Sequence, residues 1–328
     1  MNNNLVIAGC NFIGLYSAIK CLDNGYKVTI IEKRNSFNYR KNNYRIFNKN
    51  HSNYINLLNK FSINYKKYTL KYNDNTYKII FNIINKSKLI SKKILNSQNF
   101  VKFCRSILSA HDYNLLKMNI DDFEYIYDNI SVMFAITLFT NDINNDIEYF
   151  IMTDDKSVLI NKMINYIEEN NGNIIYNTEI IDVLYKSNIF ITTRYKTFKT
   201  NLIILTLSKD NLLKFKFLNK EQKKILNNVT KFNIDAEKIF SDKSIENEGD
   251  IKEHLLNNIH IVCPIRKHSI YLWNVGINDV LIKDKIKQLF NHVYICSDSY
   301  SKNPFFINYS LETYEDIHNK ITNKIYKN

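Results

Sequence analysis

The chain has 328 residues, 45% of them hydrophobic, and a formal net charge of +13, which supplies enough apolar content for a real core and excludes a disordered chain. The positive excess is lysine spread along the whole length, with no arginine-rich stripe, zinc-finger spacing or aromatic-basic motif, so it reads as a solvated surface and excludes a specific nucleic-acid binder. Cys10, Cys21, Cys104, Cys263 and Cys296 are widely spaced and never form a C-x-x-C pair, which excludes a disulfide framework and a structural metal.

The start is polar and runs straight into a strand, with no leader pattern, and apolar runs such as Val132 to Phe139 fall short of the ~18 residues of a membrane span. A soluble, cytoplasmic protein without a membrane partner is expected. The abundance of Asn, Lys and Ile reads as a codon bias toward A and T, so runs of Asn carry little structural meaning.

In chain order, Leu5 to Ala8 predicts a short buried strand, Gly9 interrupts it, and Ile13, Tyr16, Ala18, Ile19 and Leu22 recur at helical spacing. Asp23-Asn24-Gly25 closes that helix, with Gly25 suited to a left-handed cap. Lys27 to Ile31 is a second strand, and Glu32 follows near the position of an acid that binds an adenosine ribose. Within residues 43–64, Ser52 is expected as an N-cap, with Ile55, Leu58 and Phe61 as the buried stripe of a short helix. Ile160, Met163, Ile164 and Ile167 mark another helix, Gly172 is expected to cap it, and short strands follow, including one within 200–208.

The opening unit is a G-x-G-x-x-G turn with its middle glycine replaced. Gly9 supplies the tight turn and Gly14 the close helix–strand approach, while Asn11 stands where the backbone would approach a pyrophosphate. Asn tolerates positive φ better than other side chains, but its amide occupies space that a phosphate would use.

Four blocks in order make the chain resemble the flavin-containing amine oxidase family, in the form found in large DNA viruses. The first is the opening unit through Glu32 to Asn38-Tyr39-Arg40, and the second is residues 43–64 with Arg45 and His51. The third is residues 149–185, with Ile180 on the adenine-contacting position, followed by 200–208. The fourth is 269–279 with 291–313, where Asp298 falls at the ribityl chain and Phe306 precedes the helix start beneath the flavin ring.

This resemblance implies an α/β fold: an FAD/NAD(P)-binding Rossmann-type parallel sheet from residues 1–50, 151–208 and 289–328, with a reduced substrate domain from 51–150 and 209–288. It assigns FAD contacts to Gly9, Asn11, Gly14, Glu32, Arg40, Arg45, Ile180, Asp298 and Phe306. Lys267, His268, Tyr271 and Trp273 are the candidates for the substrate side, and no catalytic residue and no metal ligand is assigned.

Asn11, Asn38, Tyr39, Ser297 and Tyr309 stand where the family has glycines that bring backbone up to the cofactor. The Tyr309 phenol is expected to project toward the flavin. The expected function is therefore an amine-oxidase-like protein with weakened or lost FAD binding, acting as a binding or scaffold module with a protein partner. The alternative is an active FAD-dependent oxidoreductase acting on an amine or related small molecule.

Overall fold

The computed structural model describes residues 4–37, 46–68, 74–120, 123–142, 147–186, 188–234, 268–277 and 279–322. Leu5 to Ala8 carry no polar side chain, and β1 (Asn4–Ala8) lies inside a six-stranded sheet with neighbours on both edges. It pairs in parallel with β2 (Lys27–Ile31), and the connection between them is α1 (Phe12–Asp23), a crossover helix.

Two small elements follow, β3 (Ile46–Asn48) and α2 (Ser52–Lys60), then β4 (Tyr65–Tyr68). After a run of helices come β5 (Tyr149–Met152), which joins β3 and β4 in a separate sheet, and β6 (Asn173–Ile175), which pairs in parallel with β2. The strands β7 (Ile180–Tyr185), β8 (Ile189–Thr193) and β9 (Thr197–Thr200) form an antiparallel ribbon. It delivers the chain to β10 (Leu202–Leu205), which closes the other edge of β1 in parallel. An antiparallel pair, β11 (Val229–Ile234) with β12 (His268–Trp273), precedes β13 (Gln288–Phe290) and β14 (Val293–Ile295), the last of which pairs in parallel with β10. The sheet order β13-β14-β10-β1-β2-β6 therefore reverses direction between β1 and β10, the switch point at which such sheets bind ligands.

Side-chain alternation along β1 divides the core. Leu5 and Ile7 pack with α1 on one face, while Val6 and Ala8 pack with the β7–β9 ribbon on the other. The helices between β4 and β5 are α3 (Asp74–Ser87), α4 (Lys92–Ser97), α5 (Phe100–Ile107), α6 (Ala110–Asn119), α7 (Phe123–Tyr127) and α8 (Val132–Asn141). They surround their own aromatic core, in which the Tyr127 and Phe139 rings stack 5.9 Å apart. Asn99, Ser109 and Ser131 start α5, α6 and α8 by accepting the amides of Lys102, Asp112 and Phe134.

The later helices are α9 (Lys156–Glu169), α10 (Lys209–Leu212), α11 (Lys220–Leu226), α12 (Asp279–Lys287) and α13 (Ile307–Thr322).

Gly25 takes φ +77° after α1 as expected, and the Tyr26 amide closes the cap on the Cys21 carbonyl at 3.1 Å. Two expected caps differ. After α9 it is Asn171, at φ 60°, that turns left-handed. Gly172 is needed instead for packing, because a Cβ there would meet Ile167 Cγ2 at 2.6 Å. At α2 the N-cap is His51 and Ser52 is the first helical residue. The buried residues of that helix are Tyr54, Leu57 and Leu58, with Phe61 beside them and Ile55 only partly covered.

Candidate functional site

The C-terminal ends of β1, β2 and β10 open into a cleft of about 540 Å³ whose walls include Gly9, Asn11, Glu32, Arg34, Ile180 and Asp298. Of the sequence-derived cofactor residues, five thus share one cleft. Gly14 lies beneath it, and Arg40 and Arg45 fall outside the described residues.

Gly9 has φ +106°, and a Cβ on it would meet Thr206 Oγ1 at 2.9 Å. A Cβ on Gly14 would lie 2.1 Å from the Gly9 carbonyl oxygen, so α1 starts in direct backbone contact with the turn. These are the two glycine roles expected from the sequence.

Asn11 has φ −100°, an ordinary extended conformation, so no left-handed tolerance is called on. Its Oδ1 instead accepts the Gly14 amide at 2.8 Å, capping α1, and its Nδ2 donates to the Thr206 carbonyl at 2.5 Å. The amide therefore bridges the first turn of α1 to the segment after β10, across the mouth of the glycine turn.

Glu32 is 4% exposed, and both its oxygens are engaged. Oε2 accepts the Cys10 amide at 2.8 Å and Arg34 Nη2 at 3.2 Å, and Oε1 accepts Arg34 N at 3.0 Å and Nε at 2.8 Å. Burial pushes the Glu32 carboxyl up, but the Arg34 side chain and amide and the Cys10 amide outweigh it and hold the group below its ordinary 4.5. Burial, then the Glu32 charge, pushes the Cys10 thiol up to about 12, which removes it as a nucleophile. Arg34 was not singled out from the sequence, because β2 ends at Ile31 and no strand alternation relates it to Glu32.

A second polar cluster lies between α2, the end of α8 and the start of α13. The Asp142 carboxylate, 2% exposed, accepts the Tyr309 hydroxyl at 2.8 and 3.0 Å, Asn303 Nδ2 at 2.9 Å and Asn48 Nδ2 at 3.3 Å. His51 Nδ1 accepts the Asn48 amide, which assigns its hydrogen to Nε2, 3.1 Å from Asp142 Oδ1. The His51 ring packs against Phe306 at 4.9 Å and Tyr309 at 5.5 Å. Burial and the Asp142 charge push the Tyr309 hydroxyl well above its ordinary value, so it stays a donor. Phe306 is thus placed in this cluster and not among the walls of the glycine-turn cleft.

The substrate-side candidates lie on or beside β12. Lys267 is outside the described residues, and the His268 backbone pairs with Ile234. Tyr271 and Trp273 point into the core beneath the sheet, with Trp273 Nε1 donating to the Ser301 carbonyl at 2.9 Å. Neither ring is part of the cleft wall. Among the described residues no group of acidic, His and Cys side chains is placed to hold a metal, and no helix is long and apolar enough to cross a membrane.

A parallel sheet reversing at a glycine turn, with an acid at the end of β2, defines a dinucleotide-type α/β fold. Solved structures narrow this to the fold of the amine oxidases. Wild-type putrescine oxidase bound to putrescine matches with a TM-score of 0.70 at 9% identity, over 97% of this chain and 98% of that one. Cyclohexylamine oxidase from Brevibacterium oxydans IH-35A matches with a TM-score of 0.65 at 9% identity, over 99% of both chains. No family model matches the sequence, and no curated protein does. At this identity the likeness defines architecture, and chemistry has to be argued from the site.

The residues present fit an FAD only in part. Gly9 and Gly14 keep the tight turn and the close helix–strand approach and Ile180 supplies an apolar wall, whereas the Asn11 amide bridges that turn and both oxygens of Glu32, which a ribose would need, are already taken by Arg34 and the Cys10 amide. The Tyr309 ring is fixed to Asp142 at the start of α13.

Proposed function

We propose that this protein keeps the amine-oxidase architecture but not amine oxidation, and that it works as a binding module taking an adenine nucleotide in the retained half of the cofactor cleft. The observation that carries this reading is the anchoring of Tyr309. The resemblance seats the flavin ring over the start of α13, and there the Tyr309 phenol is buried and held by Asp142 against His51. The ring is locked in that position, since moving it would leave the buried Asp142 carboxylate short of a donor.

The cleft supports the nucleotide half of the reading, since Ile180 offers an apolar wall and Lys33 and Lys214 offer cations along it. One observation favours the second reading, an active oxidoreductase: Gly9 and Asp298 line a single cleft that Tyr309 does not enter.

The test is to purify the protein and record the visible spectrum after denaturing release, then titrate AMP and FAD by calorimetry. The expected result is no stoichiometric flavin and measurable AMP binding. Stoichiometric flavin together with amine-dependent peroxide formation would overturn the proposal, and absence of any nucleotide binding would remove its nucleotide half.

A further inference from the structure

We propose that the corner between α3 and α4 is a docking surface for an anionic membrane, with Leu89 entering the lipid headgroup layer and the lysines around it drawn to the lipid anions. The proposal stands apart from the nucleotide reading of the cleft.

The charge of this corner differs from that of the chain as a whole. Over the full sequence 32 acidic residues offset 45 basic ones, whereas residues 75–111 contain no Asp or Glu at all. Within that run Lys78, Lys86, Lys88, Lys92 and Lys93 fall on α3, the turn after it and the start of α4. Lys86 donates to the Ile107 carbonyl and Lys88 to Asn85, and among the described residues no carboxylate pairs with any of the five. The next cation along the chain with an acidic partner is Arg105, held by Glu124 of α7. Helix α8, which packs on α4, carries no charged side chain.

Apolar side chains stand among these lysines. Ile79, Ile80 and Ile83 form the buried stripe of α3, and Phe81, on the opposite face with Lys78 and Asn85, is 53% exposed. Beyond the end of α3, Leu89 is 89% exposed, and Ile94 in the first turn of α4 is 52% exposed. A side chain as open as Leu89 stands out from its turn. The turn itself is built, since the Ile90 amide donates to the Ser87 carbonyl at 3.0 Å and the buried Leu95 anchors α4 below it.

Exposed apolar side chains are ordinary when scattered singly, but three on one corner, among lysines and without an acid, have the composition of a membrane-surface element. The cations alone would suit any polyanion. Leu89 and Ile94 select a bilayer, because its headgroup layer admits apolar side chains and presents anions in the same plane. The expectation of no membrane partner came from the lack of a spanning segment, and a contact that rests on the surface needs none.

The experiment is vesicle flotation of the full chain with phosphatidylcholine alone and with equal parts of phosphatidylcholine and phosphatidylserine, at low and high salt. The wild type is expected to float only with the anionic vesicles and to be released as salt rises. A chain of net charge +13 would adhere to anionic vesicles through any lysine, so position is tested with charge-matched variants. Lys92→Glu with Lys93→Glu alters the corner, and Lys186→Glu with Lys199→Glu alters exposed lysines of the β7–β9 ribbon. At about fivefold per cation near the surface, the corner pair should lose at least about tenfold in affinity and the ribbon pair less than about threefold. Leu89→Ser, which keeps the charge and changes a side chain outside any core, should lose at least about threefold.

No binding to the anionic vesicles, or equal losses in the two charge pairs, would overturn the proposal. Unchanged binding by Leu89→Ser would overturn it as well, and would leave the corner a face for a soluble polyanion.

Discussion

Replacing Gly14 by alanine tests whether the glycine turn is a packing device independent of any ligand. The added Cβ would sit 2.1 Å from the Gly9 carbonyl oxygen and 3.2 Å from Thr206 Oγ1, whereas real Cβ atoms essentially never come within 3.0 Å of a neighbour. The obstruction is backbone, so no rotamer change relieves it, and the start of α1 must retreat by about 1 Å from the sheet. Phe12, Ile13, Leu15 and Tyr16 are all buried, with Phe12 against Tyr54 and Tyr16 against Tyr314, so the retreat disturbs the packing of α1 on its neighbours. We expect a loss of about 3 kcal/mol or more, at the upper end of overpacking effects. Gly25→Ala is the control, with φ +77° but nothing within 4 Å of the new Cβ, so it should lose only about 1 kcal/mol for the left-handed backbone. Urea unfolding followed by far-ultraviolet circular dichroism measures both. A Gly14→Ala protein no less stable than Gly25→Ala would refute the close-approach reasoning.

Asp142→Ala should cost about 3 kcal/mol in the same assay, because it orphans donors from Tyr309, Asn303, His51 and Asn48 together, whereas Tyr309→Phe should cost about 1 kcal/mol. Equal losses in the two variants would mean that the carboxylate is not the centre of the cluster. The Glu32 carboxyl is depressed in the folded state, so its contribution is present above its ordinary 4.5 and lost as pH falls through the lower folded value. Glu32→Gln should therefore be less stable than the wild type at pH 6, by about 1 kcal/mol for the weakened charge-assisted hydrogen bonds, with the gap narrowing as the pH falls below 4.5 in pH-dependent denaturation. Trp273, the single tryptophan, is 7% exposed and donates to Ser301, so its emission should be blue-shifted and resist iodide quenching until the β11–β12 pair unfolds.

The first strand, helix, second strand and their turns were readable because each rests on local chemistry: an apolar run, a helical stripe, and glycines where the backbone needs them. Gly9, Glu32, Ile180 and Asp298 line one cleft; the spacing of the opening unit relates Gly9 to Glu32, whereas only the family resemblance relates these two to Ile180 and Asp298. The helical body from α3 to α8 went unread, although Asn99, Ser109 and Ser131 mark three of its helix starts. In a chain so rich in Asn, one more Asn or Ser gives no contrast. Asp142 was invisible for a different reason. Its partners His51, Asn303 and Tyr309 lie 91, 161 and 167 residues away, and only the closed fold makes this aspartate unlike its neighbours.

The position of β1 also governs how the chain reaches this structure. One edge of the strand is satisfied early by β2, but the other waits for β10, and the bond from Thr206 to Ala8 closes a loop of 198 residues. At synthesis rates of roughly 5–20 residues per second, the open edge of Leu5 to Ala8 stays exposed for about 10–40 s. Such a strand is a template for aggregation until its partner arrives. Refolding should accordingly be slow and favoured by dilution, and chains truncated before residue 202 should collect in the insoluble fraction.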